Sequence, residues 1–449
     1  MLFRVQQTPG CNFMKAPLSL LIAVLFVTHE TPAQDSSETM SYHFQFTAIQ
    51  QSHPSFSAKY TGRNSLLPTG ESLLSITSTL FLGSRVWKGG EIYCNPELTG
   101  GSGFSSTTGI AGFPNGEIYR VDNPSPKVFI ARLFIRQQFP LGDEMENVDP
   151  DQNQIAGPLP KARLTVTAGK FSLTDVFDDN TYSHDARTQF LNWALWSGAA
   201  WDYAADTRGY DWGILTEVRL PSWSLNFAAV MVPTDANGPY FDHDISRAYS
   251  LNLEVVKPYS ISGLDGRVHV IAFLNHAAMG NYRDAIDRAL LTGSAPDVDQ
   301  TNSYCSKYGF VISAEQSLGR TAGLFSRFSW NDGKTETWAF TEIDRSFHAG
   351  VTTRGDAWGR GADNTGIAYV LNALSPDHRE YLDRGGYGFI IGDGALNYAL
   401  EQITEAYYSA RLFPSFWLTL DDQVVLNPAY NRDRGPVVNV ISLRGHVEL

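Results

Sequence analysis

From about His43 to Leu449 apolar and polar side chains alternate with period two, over segments of about eight to twelve residues separated by turns or loops. That period sends successive side chains to opposite faces of a strand. In 161–171, Leu164, Val166 and Ala168 share one face and Arg163, Thr165 and Thr167 the other. In 128–139, Phe129, Ala131, Leu133 and Ile135 oppose Arg132, Arg136 and Gln138, with Ile130 and Phe134 as exceptions. In 213–220, Ile214, Val218 and Leu220 oppose Glu217 and Arg219. In 249–255, Tyr249, Leu251, Leu253 and Val255 oppose Ser250, Asn252 and Glu254. In 404–412, Ala406, Tyr408, Ala410 and Leu412 oppose Glu405, Ser409 and Arg411. Further segments lie near 43–50, 73–82, 223–232, 267–275, 307–316, 322–330, 346–354, 366–374 and 416–426. The count is about seventeen candidate strands, give or take two. In the last, Ile441, Leu443, Val447 and Leu449 oppose Ser442, Arg444, His446 and Glu448. A chain that ends inside an amphipathic strand fits a barrel whose final strand closes against its first.

Two stretches break the rhythm. Residues 175–212 have a helix-like centre around Thr188–Ala200, and residues 376–398 begin with helix-compatible charge and become Gly-rich. Loops longer than about 12–15 residues in compact folds are usually functional. In a barrel they project outward or fold into the lumen. No linker divides 43–449, so one domain is expected, after a polar lead-in over 34–42.

The N-terminus carries Lys15, an apolar run from Leu18 to Val27, and then polar and small residues up to Ala33. This is the order of a secretory signal peptide, with cleavage expected near Ala33 and Met14 a candidate start. The run is shorter than the roughly 20 apolar residues of a membrane-spanning helix, and charges interrupt every later apolar stretch. An exported chain of this kind is either secreted or held in a membrane as a β-barrel, whose closed sheet satisfies its own backbone hydrogen bonds in lipid. Abundant Gly (39), Tyr (20), Phe (26) and Trp (10) with a mean hydropathy of only -0.20 favour the barrel, since half of every strand is polar. The formal charge is -13, and becomes -14 once residues 1–33, with Arg4, Lys15 and Glu30, are removed. Such a chain is a poor partner for nucleic acid. Cys94 and Cys305 are two distant thiols, not a disulfide framework.

The expected lumen face carries acids and arginines together: Arg132, Arg136, Glu217, Arg219, Glu254, Glu405, Arg411 and Arg444. A wet wall of both signs admits neutral polar solutes. Selectivity is expected from the 175–212 stretch, where Trp193, Trp196 and Trp201 accompany Asp178, Asp179, Asp185, Arg187, Asp202 and Arg208. Sugars are recognised by this mixture, aromatic faces covering C–H surfaces and carboxylates and guanidinium forks bonding hydroxyls. The alternative for each Trp is to pack the loop on the barrel or to sit in an interfacial belt. Nothing selects a pair of carboxylates for glycoside hydrolysis. G-x-S-x-G, H-E-x-x-H and paired C-x-x-C motifs are absent from the sequence, so no catalytic residue, metal or cofactor is expected.

Several strings say more than periodicity: Y60-T-G-R-N-S-L, W87-K-G-G-E-I-Y, G109-I-A-G-F-P-N-G-E-I-Y-R, A131-R-L-F-I-R-Q, V166-T-A-G-K-F-S-L-T-D-V-F-D-D-N-T-Y-S-H-D-A-R-T-Q-F-L-N-W-A-L and L426-N-P-A-Y-N-R-D-R-G-P-V. Through them the chain, from about Tyr60 to Leu449, resembles the carbohydrate-selective porins of the OprB family. The resemblance implies a sixteen-stranded antiparallel barrel in the bacterial outer membrane, passing mono- and disaccharides down their gradient. It also implies that residues 178–212 form much of the constriction. The chain departs from the common pattern in having Leu449 where such strands finish in Phe. The expected partners are small sugars and outer-membrane lipid, with a homo-oligomer allowed. A porin of general or different selectivity is the second reading, and a secreted β-rich sugar-binding protein or glycosidase the third.

Overall fold

A computed structural model describes residues 38–435 and 437–449; the expected leader, with Met14 and Ala33, lies outside the described residues. Eighteen strands are found in that range. The first six are β1 (Met40–His53), β2 (Glu71–Trp87), β3 (Gly90–Gly101), β4 (Lys127–Pro140), β5 (Met145–Val148) and β6 (Gly157–Pro160). Next come β7 (Arg163–Phe171), β8 (Asp211–Leu220), β9 (Trp223–Val230), β10 (Tyr249–Ile261), β11 (Leu264–Met279) and β12 (Ser303–Ser317). The rest are β13 (Ala322–Asn331), β14 (Arg345–Gly355), β15 (Arg360–Ala373), β16 (Glu401–Phe413), β17 (Phe416–Leu426) and β18 (Val438–Glu448). Two helices, α1 (Tyr282–Thr292) and α2 (Pro376–Asp383), sit in loops. Strand β1 begins at Met40, within the stretch read as lead-in.

All strands but β5 and β6 join in one closed antiparallel barrel of sixteen, each pairing with its sequence neighbours. Strand β18 pairs with β1 from Gln45↔Glu448 to Ser52↔Ile441 and closes the cylinder. Period-two alternation explains why. Ile214, Leu253, Val255, Ile312, Ile367, Leu420, Ile441 and Leu443 are exposed on the outer wall, while Glu217, Asn252, Glu254, Glu405, Ser442 and Arg444 are buried inside. An apolar belt continuous around a barrel is far beyond what a soluble protein leaves open. Lipid covers it.

Six connections at one end are short: 88–89, 221–222, 262–263, 318–321, 356–359 and 414–415. Those at the other end are long, the longest being 172–210. Outer-membrane barrels place short turns toward the periplasm. One connection breaks the rule. Residues 141–162, with the β5–β6 hairpin, lie at the short-turn end.

The alternation misleads at β4. There Asn95 pairs with Arg132 but Pro96 with Ile130, so Ala131 is an extra residue. Across such a bulge the faces exchange parity. Val128 and Ile130 above it, and Leu133 and Ile135 below it, all face outward, while Ala131 and Phe134 are buried. Ile130 is thus regular, Phe134 stays an apolar residue on the inner face, and Phe129 and Ala131 take the inner face instead of the outer one. Strand β3, absent from the sequence reading, carries Pro96 at the same bulge, where the missing N–H costs no ladder bond.

Candidate functional site

The loop 172–210 opens with a capping box in which Ser172 and Asp175 bond reciprocally. It then runs against the inner faces of β10 to β18. Arg327 of β13 donates from Nε to Asp178 Oδ1 (2.8 Å), from Nη1 to the Leu195 carbonyl (2.8 Å) and from Nη2 to the Ser183 carbonyl (2.6 Å). Glu254 accepts from the Asp178 N–H (2.9 Å), Glu315 from Thr181 (2.7 Å) and Glu405 from Leu191 and Asn192. Arg444 donates to the carbonyls of Ala186 (2.7 Å) and Gln189 (2.8 Å). The helix expected around 188–200 is not formed. Its N–H groups go elsewhere: Leu191 and Asn192 to Glu405, Gly198 to Asp178, and Ala200 to Ser329. Turns replace it.

A second loop, 102–126, lies beside the first. Glu401 accepts from Ala111 (2.9 Å) and Gly112 (2.7 Å), and Gln51 donates to the Pro114 carbonyl (2.6 Å). Trp193 Nε1 donates to the Asn115 carbonyl (2.6 Å), tying the loops together. A Cβ on Gly116 would stand 2.5 Å from Ala186 Cβ, so the approach needs glycine.

What remains open is eccentric. A cavity of about 620 Å³ follows the β1–β4 and β7–β8 side of the wall, from Thr99 near the long-loop end to Gln138 and Arg163 near the short-turn end. Trp193, Trp196, Tyr203, Tyr210, Tyr119 and Phe340 give it aromatic surface. Trp193 stacks on Phe340 with centroids 6.2 Å apart, and Trp196 meets the same ring edge-on at 5.5 Å.

Many of the charges that line it are tied in pairs. Arg132 holds Asp175 through two nitrogens and lies over the Tyr210 ring at 5.1 Å. Arg187 bridges Glu117 (3.0 Å), Glu97 (3.1 Å), Gln45 (3.0 Å) and Thr79 (2.9 Å). Arg208 pairs with Asp122 (3.0 Å), bonds Thr99, and stacks on Tyr119 (4.3 Å) and Phe129 (4.6 Å). Burial opposes ionisation of Asp185, yet the Arg187 N–H, the Thr188 hydroxyl and the Arg187 guanidinium hold it below the usual carboxylate range.

The sequence profile of the carbohydrate-selective porin, OprB family matches residues 65–449. The chain belongs to this family. Its fold matches the high-pH structure of Pseudomonas putida OprB with a TM-score of 0.67 at 14% identity, covering 92% of this chain and 94% of that one. The outer membrane channel DcaP of Acinetobacter baumannii matches with a TM-score of 0.51 at 9% identity, over 93% and 99%. No curated protein matches the sequence. The chain is thus an outer-membrane β-barrel channel of a bacterial cell, and porins of this family and fold are channels, not enzymes.

Within this porin the residues picked from sequence part into three groups. Arg132, Arg136, Glu217, Arg219, Asp179, Asp185, Arg187, Trp193, Trp196 and Arg208 line the open cavity. Glu254, Glu405 and Arg444 face inward but are covered by the loop they hold. Asp178, Trp201 and Asp202 belong to that packing too. Trp201 Nε1 donates to Asn252 (2.9 Å), and Asp202 meets Lys307 at 3.4 Å and accepts from the N–H groups of Trp338 and Ala339. Arg411 is exposed at the short-turn rim, over the Trp417 ring at 5.2 Å. Glu97, Glu117, Asp122 and Asp175 line or edge the passage and were not singled out. Glu97 sits on β3, the strand that parity missed, and Glu117 in the string from Gly109 to Arg120, noted for its likeness but not as a loop. Among the described residues, Cys94 and Cys305 are not joined in a disulfide.

Proposed function

We propose that this porin passes small neutral carbohydrates by passive diffusion along the eccentric passage, and that residues 172–210 with 102–126 constrict it. The observation that carries this reading is the lining itself. Aromatic rings stand among guanidinium–carboxylate pairs in one cavity wall, the combination that suits a pyranose with apolar C–H faces and a rim of hydroxyls. Because most of the cations are tied to acids, with Arg120 and Arg136 bonded instead to backbone carbonyls, the wall offers hydrogen bonds without a strong net field, so contacts stay weak enough for release. Arg132, Arg187 and Arg208 are proposed as the hydroxyl-binding groups, and Trp193 and Trp196 as the stacking faces.

The competing reading is a general porin for small hydrophilic solutes. Liposome swelling separates the two. Proteoliposomes should swell faster in monosaccharides than in amino acids of similar size, and equal rates would remove the sugar preference.

A further inference from the structure

The connection 141–162 is out of place. Every other connection at its end of the barrel is short, whereas this one carries the β5–β6 hairpin. It does not hang below the barrel. From its base between β4 and β7 it crosses the mouth, and its tip meets five strands in turn. Arg136 of β4 donates to the Asn153 carbonyl (2.9 Å), and Asn95 of β3 donates to Asn153 Oδ1 (2.9 Å). Arg85 of β2 donates to the carbonyls of Ile155 and Ala156, both at 3.2 Å. The Ser41 hydroxyl of β1 reaches the Gln154 carbonyl (3.4 Å), and Gln152 reaches Glu448 of β18 (3.2 Å).

Depth follows from the partners. Asn95 lies mid-way along β3 and is fully buried, and Ile155 is 2% exposed, so the tip is inside the cylinder. Residues 151–155 and Leu159 bound the same cavity as Arg187 and Trp196. The base is pinned as well, Arg163 Nη1 bonding Glu146 (2.8 Å) and the Pro160 carbonyl (2.7 Å).

We infer that this hairpin is a second, fixed restriction of the passage, set at the periplasmic mouth in series with the constriction formed by the long loops. Its anchors come from so many strands that it cannot swing as a lid without breaking several part-buried hydrogen bonds at once, each at a cost. Its tip, Asp151-Gln152-Asn153-Gln154, is polar throughout, as an element that faces hydrated solute must be. Two filters in series divide the resistance, so removing one raises the current even while the other remains.

The test is single-channel conductance, which does not depend on the sugar preference. Val148 pairs with Gly157, so residues 149–156 can be replaced by Asn-Gly, the two-residue turn that best closes a hairpin. Conductance should rise roughly twofold, with a larger gain for disaccharide than for monosaccharide in swelling assays. Unchanged conductance in a heat-modifiable barrel overturns the inference. A second variant needs no deletion: Gln152→Cys with Cys94→Ser and Cys305→Ser, labelled by a bulky methanethiosulfonate from the short-turn side. A stepwise fall in current is expected on labelling, and a current unaffected by complete labelling equally overturns the inference.

Discussion

Asp178 and Asp179 are adjacent and do different work. Asp178, at φ +55°, turns away from the passage and pairs with buried Arg327, while Asp179 borders the cavity 3.5 Å from Arg267. No periodicity governs an irregular loop, so the composition of 175–212 pointed to the right segment but not to the roles within it. The aromatic residues divide in the same way, Trp193 and Trp196 toward the cavity and Trp201 into the packing. Replacing Trp196 with Ala should weaken block of ionic current by sugar without loss of folding. Trp201→Ala should leave the block and lower the melting temperature, since deleting a buried large aromatic costs about 3–5 kcal/mol. Unchanged block in Trp196→Ala assigns that ring to packing. Arg327→Ala tests the anchor. It strands the fully buried Asp178 carboxylate without its cation, a loss of about 3–5 kcal/mol. The barrel should still migrate as folded when unheated, but with larger and noisier single-channel current. Quiet, wild-type current would show that the other anchors suffice.

Strands were legible because one rule, apolar out and polar in, acts on every residue of a strand in lipid. Its failures have local causes. The extra Ala131 exchanged the faces of half a strand, and the polar run 141–162, with its Asp, Glu and Pro residues, concealed a hairpin too short for its alternation to register. Facing inward is also not the same as facing water. Ser442 bonds Gln51 (2.9 Å) beneath the loops and is fully buried, whereas Thr165 borders the open cavity. The faces are therefore best tested with Leu443→Arg against Thr165→Arg. Leu443 lies mid-strand on the outer wall, where an Arg costs about 2–4 kcal/mol at the bilayer midplane, and an Arg at 165 stays hydrated. Leu443→Arg should sharply reduce the heat-modifiable fraction and Thr165→Arg should not. Equal yields would mean that the outer wall of β18 does not face lipid.

For the molecule as a whole, closure is the condition that everything inside depends on. The β1–β18 ladder is the one pairing between strands from opposite ends of the chain, and without it both β1 and β18 would present unpaired N–H and C=O groups to hydrocarbon, at several kcal/mol each. Sequence could propose that ladder from the alternation of 441–449, but only the register shows it complete. Deleting residues 441–449 should abolish heat-modifiable mobility and leave the chain open to protease. That variant also removes Arg444, which holds Ala186 and Gln189, so Arg444→Met is the matched control. It keeps the strand backbone and loses only the anchor, and it should yield a folded barrel with altered conductance. If the deletion variant still migrates as a folded barrel, edge pairing is dispensable and neither the loops nor the hairpin has a fixed wall to fold against. If both variants fail, the in-folded loop is part of what lets the barrel close, and lumen and wall assemble as one cooperative unit.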